Sequence, residues 1–158
     1  MAELTHFDNN GNAHMVDISE KQISFRIAKA ACSVHMSLET LNIISDGSAK
    51  KGDVLSVARI AGIQGAKRTS ELIPLCHPIS LTKVNLDLIL NEKLPGIEII
   101  ATAKTTGPTG VEMEALTAAG VSALTVYDMV KSLDKSLIIK NLRLILKDGG
   151  KSGRYESS

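Results

Sequence analysis

Aromatic residues, cysteines and long apolar runs are all scarce in this sequence of 158 residues. Aromatics make up 3% of the chain, so it has few side chains on which nucleic acid bases could stack. The two cysteines, Cys32 and Cys76, are too few for a disulfide framework and favour a reducing compartment. No apolar run approaches the length of a membrane span, and the first residues lack the pattern of a secretion signal. We therefore expect a cytoplasmic protein with no membrane partner.

An excess of one charge is also missing, because the formal net charge is only +1. Nucleic-acid-binding domains are usually clearly basic, so we expect no nucleic acid partner. The length and the 44% hydrophobic content suit a single catalytic domain over residues 1–158 with its own core. The polar, turn-rich residues 1–20 and the Gly-rich residues 149–158 are expected to be flexible.

Hydrophobic periodicity predicts an α+β fold. Apolar residues alternate with a period of two in four segments and recur at helical spacing in three. The predicted strands lie near 23–34, 81–91, 97–103 and 142–147, and the predicted helices near 37–46, 53–72 and 110–133. With the first two helices counted as one broken helix, this order is the β-α-β-β-α-β of a ferredoxin-like sandwich, an antiparallel sheet with helices on one face.

The strand patterns also predict which side chains face the core. In the first strand Ile23, Phe25 and Ile27 are expected on the buried face, and Arg26 on the other. In the last strand Leu142, Leu144 and Leu146 are expected to share one face. Several strands carry apolar residues on both faces, including Ile89, Ile100 and Ile145. We therefore expect a second subunit to cover the face that the helices leave open.

The segment 67–78 carries the clearest candidate site. Lys67 and Arg68 lie near the end of a predicted helix, and His77 is held between Cys76 and Pro78. Proline restricts its own backbone and that of the preceding residue, so His77 is mounted rigidly. Such a histidine suits a catalytic or substrate-orienting role, and a tight turn in which it only caps a neighbour is the alternative.

The last predicted helix carries a second candidate site. Asp128 and Lys131 are three residues apart and can form an ion pair, which is either an ordinary surface pair or an acid/base pair. A partly desolvated Lys131 would have a lowered pKa, with Asp128 orienting it. Glu114 lies fourteen residues before Asp128, roughly 21 Å along a helix. If both carboxylates are functional, the pocket must lie between subunits.

Clustered cations predict an anionic small-molecule ligand in this nearly neutral protein. Phosphate-binding and dinucleotide-binding glycine motifs are missing, and the cysteines and histidines lack the spacing of metal ligands, so no metal site is expected. The cations are Lys50, Lys51, Lys67, Arg68, Lys147, Lys151 and Arg154.

Several motifs together closely resemble the MoaC family of molybdenum cofactor biosynthesis. The most specific are LIPLCHP at 72–78 and VEMEALT at 111–117, and further similarity lies at 51–54, 58–64, 66–69, 127–131 and 149–153. The resemblance implies a ferredoxin-like subunit in a hexamer, built as a trimer of dimers with pockets at subunit interfaces. It implies conversion of the 3′,8-cyclised dihydroguanosine triphosphate to cyclic pyranopterin monophosphate, with release of diphosphate.

The resemblance also assigns roles to residues. Asp128 and Lys131 are implied in acid/base steps, with Lys51 and His77 beside them. The implied substrate contacts are Leu75, Cys76, His77, Met113 and Glu114, with Glu112 as a further one. From charge alone we add Lys67, Arg68, Arg26 and Lys151 as ligands of the triphosphate. No resident cofactor is expected, and a divalent cation that accompanies the triphosphate is not predicted.

Two other functions fit the same fold. A module that binds single-stranded RNA needs aromatic residues on its central strands, and positions 84–90 and 97–103 contain none. A regulatory domain would bind a small effector without converting it. Release of diphosphate from the cyclised nucleotide distinguishes the enzyme from both.

Overall fold

The computed structural model describes residues 5–157 and has the predicted β-α-β-β-α-β order, with two short additions. The elements are β1 (Ser24–His35), α1 (Leu38–Ser45), α2 (Val54–Lys67), α3 (Thr69–Leu72), β2 (Leu81–Asn91), β3 (Gly96–Gly107), α4 (Glu112–Val130), β4 (Ile138–Asp148) and β5 (Tyr155–Glu156). The sheet order is β2-β3-β1-β4-β5, and each neighbouring pair is antiparallel. The ferredoxin-like prediction is confirmed. Within residues 5–157, no helix is both long and apolar enough to span a bilayer.

The helix starts follow local sequence signals. The Ser37 hydroxyl accepts a hydrogen bond from the Thr40 N–H, and the Asp53 carboxylate accepts one from the Ser56 N–H. Both residues are therefore N-caps. The helix predicted to continue to residue 72 is instead divided, because Arg68 leaves the helical conformation at φ −111° and ψ 13°. Lys67 and Arg68 consequently lie at the break between α2 and α3.

Small residues let α2 and α4 pack closely. A Cβ added to Gly62 would lie 2.9 Å from the Ala118 carbonyl oxygen, and one added to Gly65 would lie 2.9 Å from Val121 Cγ2. On its sheet side α4 buries alanines, and the Cys32 thiol donates a hydrogen bond to the Ala119 carbonyl oxygen at 3.5 Å. Close packing on both sides fixes the position of α4 on the sheet.

The prediction for the faces of β1 was wrong. Ala28, Ala30 and Val34 are fully buried, whereas Ile23 and Phe25 are 73% and 57% exposed. A two-residue period separates the faces of a strand without showing which one meets the helices. The face with small side chains accommodates α4. Phe25 lies on the open face, where the Lys104 ammonium is 5.9 Å from its ring centre.

The expected alternation along β4 also fails. The pairing of β1 with β4 shifts register twice, between Lys29 and Ala30 and between Ala31 and Ser33. As a result Leu144 packs against the core, whereas Leu146 lies opposite Lys29. Such bulges interrupt the period of two and are not visible in the apolar pattern. On the open face Ile89 is 48% exposed, which leaves the prediction of a covering subunit in place.

Candidate active site

At the carboxyl end of α4 the structure brings together Lys51, Asp128 and Lys131, which we call the Asp128 cluster. The Lys131 ammonium lies 2.6 Å from Asp128 Oδ1. The Lys51 ammonium donates to the Asp128 backbone oxygen at 2.9 Å and lies 3.4 Å from Oδ2. Lys51 comes from the loop before α2, so the cluster joins two distant parts of the chain.

The Asp128 cluster is exposed, and its charges stabilise one another. The hydrogen bond from Lys131, then that from Lys51, lowers the pKa of Asp128. The same hydrogen bond to Asp128 raises the pKa of Lys131. The single chain thus lacks the desolvation that would lower the pKa of Lys131. In this state the cluster is a fixed pair of cations around a carboxylate, open to an incoming anion.

At the amino end of α4 lies a cavity of about 600 Å³, which we call the Glu114 cavity. All six residues that the resemblance assigns to substrate contact line this cavity. They are Leu75, Cys76, His77, Glu112, Met113 and Glu114. The turn after α3 supplies the first three and the first turn of α4 the others, because prolines 74 and 78 hold the extended turn against the helix end.

Burial controls the ionisation of this cavity. Glu114 is only 4% exposed. Its desolvation, assisted by the charge of Glu112, raises its pKa to about 7, although its own backbone N–H acts in the opposite direction. Burial also raises the pKa of the Cys76 thiol, with a smaller contribution from Glu114. The neutral thiol form of Cys76 is therefore favoured in this wall of the cavity.

A second cavity of about 900 Å³ adjoins the first and is here called the Arg26 cavity. Arg26 donates from Nε to the Gly107 carbonyl oxygen at 3.0 Å and from Nη2 to that of Pro108 at 3.1 Å. These two bonds fix its guanidinium, and Lys151 lines the same cavity. Oriented guanidinium and ammonium groups suit a phosphate chain. The two cavities share Lys21, Thr109, Gly110 and Glu112.

Two cations at this site were not among the predicted site residues. Lys21 lines both cavities, and no periodic signal in the polar segment around it could have identified it. Lys147 forms an ion pair with Glu112 at 3.3 Å. The sequence placed Lys147 in the cationic group without assigning it a contact. By contrast Lys67 and Arg68 line neither cavity, so their predicted phosphate contacts stay predictions.

The single chain does not bring its candidate residues to one place. His77 lies at the Glu114 cavity, whereas Lys51 and Lys131 lie at the Asp128 cluster. Glu114 and Asp128 belong to one helix and are roughly 21 Å apart along its axis. Over residues 5–157 no three His, Cys, Asp or Glu side chains are grouped to hold a metal.

Comparisons with known proteins agree with this arrangement of motifs. The model of the MoaC family matches residues 15–150. The chain is 60% identical to a protein of Jannaschia sp. strain CCS1 named "Cyclic pyranopterin monophosphate synthase", over 99% of this chain and 96% of that one. A protein with the same name from Cereibacter sphaeroides strain ATCC 17029 is 60% identical, over 100% of this chain and 99% of its own length. Another, from Methylobacterium nodulans, is 56% identical, over 99% of this chain and 98% of its own length. The chain therefore belongs to the MoaC family.

Proposed function

We propose that the chain acts as a cyclic pyranopterin monophosphate synthase, a lyase of molybdenum cofactor biosynthesis. Its substrate is the 3′,8-cyclised dihydroguanosine triphosphate, and its products are cyclic pyranopterin monophosphate and diphosphate. The observation that carries the proposal is the Asp128 cluster, held in a chain that is 60% identical over its whole length to proteins of that name.

The two adjoining cavities match the two halves of this substrate. The Glu114 cavity has apolar walls from Leu75, Ile79 and Met113, which suit a fused ring. The Arg26 cavity presents the fixed Arg26 guanidinium and the Lys151 ammonium, which suit the triphosphate and would stabilise the departing diphosphate. The ring and the phosphates of one nucleotide can therefore occupy neighbouring spaces.

The rearrangement needs several proton transfers, since a purine ring opens and a pterin ring closes. Lys51, Lys131, Asp128 and His77 are the groups that we assign to them. Asp128 orients both ammonium groups through the short contacts described above. A bound substrate that excludes water would favour the neutral form of Lys131, as acid/base catalysis requires. No resident metal or cofactor is part of this proposal.

One active site requires two copies of the chain. The Glu114 cavity of one copy and the Asp128 cluster of another must meet, because one nucleotide cannot span both within a single chain. The open, partly apolar face of the sheet is a further surface for association. We propose a homohexamer, arranged as a trimer of dimers, with the sites at subunit interfaces. Both cysteines are free, as suits a reducing cytoplasm.

Incubation with the cyclised nucleotide tests the function. The wild-type protein should release one diphosphate per pterin formed. An enzymatic assay measures the diphosphate, and fluorescence of the oxidised pterin measures the pterin. The Asp128→Asn variant should lose most of this activity while it keeps its oligomeric state. Failure of the wild-type protein to release diphosphate, with tight binding of single-stranded RNA or of the intact nucleotide, would favour one of the two alternative functions.

A further inference from the structure

Ser24, the first residue of β1, carries a hydroxyl group that is shielded from water and has no hydrogen-bond partner among residues 5–157. The one other buried side-chain atom of this kind in the described part of the chain is the hydroxyl oxygen of Ser122, in α4. Shielding a polar atom without a hydrogen bond costs free energy, so each of these two hydroxyls requires an explanation.

The two hydroxyls differ in their surroundings. Ser122 is fully buried where α2 packs against α4, since a Cβ added to Gly62 would lie 3.2 Å from Ser122 Cβ. It lines neither the Glu114 cavity nor the Arg26 cavity. Ser24 is only partly buried, and it lines the Arg26 cavity. The hydroxyl of Ser122 therefore belongs to core packing, whereas that of Ser24 adjoins a space that a ligand can enter.

Strand geometry places Ser24 beside the Arg26 guanidinium. Side chains two residues apart on a strand point to the same side, so Ser24 and Arg26 share one face of β1. Ser24 lies opposite Gly107 in the pairing of β1 with β3, and Arg26 Nε donates to the Gly107 carbonyl oxygen at 3.0 Å. The guanidinium is therefore held at the strand position that pairs with Ser24.

The charges of the Arg26 cavity favour an anion that accepts several hydrogen bonds. The cavity is lined by three cations and two carboxylates, which are Lys21, Arg26, Lys151, Glu20 and Glu112. Glu112 already forms an ion pair with Lys147, so the positive charge is in excess. The oxygens of an ionised phosphate accept hydrogen bonds, and a serine hydroxyl can donate one. A phosphate group in this cavity would thus give the Ser24 hydroxyl the partner that the fold does not provide.

We propose that Ser24 is a phosphate ligand of the Arg26 cavity, and that its hydroxyl donates a hydrogen bond to the phosphate chain bound by Arg26 and Lys151. A serine side chain turns about a single bond between three staggered positions, so the hydroxyl can turn towards the ligand without movement of the strand. It then makes a charge-assisted hydrogen bond where it made none before. The inference rests on the proposed function for the identity of the chain as a nucleoside triphosphate.

Titration calorimetry of the intact oligomer tests the proposal with two probes, inorganic triphosphate and GTP. The ionic strength is kept constant because phosphate binding depends on salt. Ser24→Ala should bind both probes about tenfold to a hundredfold more weakly than wild type, the range of one hydrogen bond to a charged group. The two factors should agree, since the hydroxyl contacts the phosphates that the probes share. Ser24→Thr keeps the hydroxyl and suits a strand, so it should retain most of the affinity.

Stability separates a ligand contact from a structural role. Alanine at position 24 removes a hydroxyl that has no partner in the fold, so the free energy of unfolding of Ser24→Ala should equal or exceed that of wild type. Ser122→Ala is the matched control, because it removes the other such hydroxyl away from both cavities. It should keep its stability and bind both probes as wild type does. Lower stability of Ser24→Ala in urea would mean that its hydroxyl has a structural role, contrary to the proposal.

Several outcomes of the calorimetry would overturn the proposal. They are unchanged affinity of Ser24→Ala for inorganic triphosphate, an equal loss in Ser122→Ala, and no binding of inorganic triphosphate by wild type at millimolar concentration. Weaker binding of GTP alone would place the hydroxyl at the ribose or the ring. If wild type still releases diphosphate from the cyclised nucleotide, the proposed function stands and only the role of Ser24 falls. If Ser24→Ala behaves as expected but wild type releases no diphosphate, Ser24 remains a phosphate ligand and the proposed function falls.

Discussion

The two ends of α4 carry the same kind of group in opposite environments. Glu114, at the amino end, is 4% exposed, and burial raises its pKa. Asp128, at the carboxyl end, has a side chain that is 60% exposed, and its contacts with two lysines lower its pKa. Burial thus dominates at one end and local pairing at the other.

This difference indicates what each end would gain from a second copy in the proposed assembly. The Asp128 cluster has its internal contacts but no walls, so it lacks the desolvation that tunes a lysine for proton transfer. The Glu114 cavity has walls, but none of the ion pairs found over residues 5–157 includes its carboxyl. Each end would supply what the other lacks in the site that we propose between subunits.

Replacement of Lys131 by Ala should cause the largest effect at the exposed end. Loss of an acid/base group should lower turnover by about 10²–10⁴-fold. Stability and assembly should stay close to wild type, because an exposed ion pair contributes little to folding. Diphosphate release and light scattering measure the two properties. Lys93→Ala, in the turn after β2, is the control, and normal turnover by Lys131→Ala would remove Lys131 from the mechanism.

Mixed oligomers test whether the two ends meet across an interface. Lys131→Ala and His77→Ala chains carry defects at opposite ends, so random mixing should leave roughly a quarter of the sites intact if two copies form each site. Diphosphate release by co-expressed, doubly tagged oligomers measures the recovery. Lys131→Ala mixed with Lys51→Ala is the control and should recover nothing, since both defects lie at one end. No recovery in a verified His77→Ala mixture would contradict a site shared between two copies.

The Glu114→Gln variant should be more stable than wild type above neutral pH. The folded-state pKa of Glu114 is raised from 4.5 to about 7, so the unfolded chain loses its proton first as the pH rises. Folding stability should therefore fall between about pH 4.5 and 7, by about 3 kcal/mol in total, and stay lower above that range. The variant should lack this decrease. Urea unfolding at pH 4.5 and 8 and fixed protein concentration measures it, and equal curves would mean that Glu114 titrates normally.

Much of the fold follows from sequence signals that act locally. The caps at Ser37 and Asp53 start their helices where side-chain chemistry predicts, and β2 shows its alternation clearly. What failed depends on tertiary contacts. The small volume of Ala28 and Ala30 selects the face of β1 that meets α4. The bulges in β4 arise from the pairing of β4 with β1.

For the candidate site, too, the contacts within one helix could be predicted, and those between distant parts of the chain could not. The spacing of Asp128 and Lys131 on one helix predicts their contact, and the helix geometry predicts their separation from Glu114. The contact of Lys51 with Asp128 spans 77 positions, and only the family resemblance connected them beforehand. Lys21 lines the cavities and Lys147 contacts Glu112 only through the tertiary fold, so no local pattern could have assigned these positions.

Substitution where α2 packs against the middle of α4 should have a weaker effect than substitution at either end of α4. Gly62→Ala places a Cβ 2.9 Å from the Ala118 carbonyl oxygen and 3.1 Å from Leu86 Cγ, so α2 must move away from α4. We expect a loss of about 1–3 kcal/mol in the free energy of unfolding. Gly120→Ala is the matched control, because its Cβ meets only Leu142 Cδ2 at 3.5 Å and alanine favours the helix, so stability should change by less than about 1 kcal/mol. Urea unfolding compares the two, and a Gly62→Ala protein as stable as Gly120→Ala would show that the close packing of α2 on α4 tolerates an added methyl group.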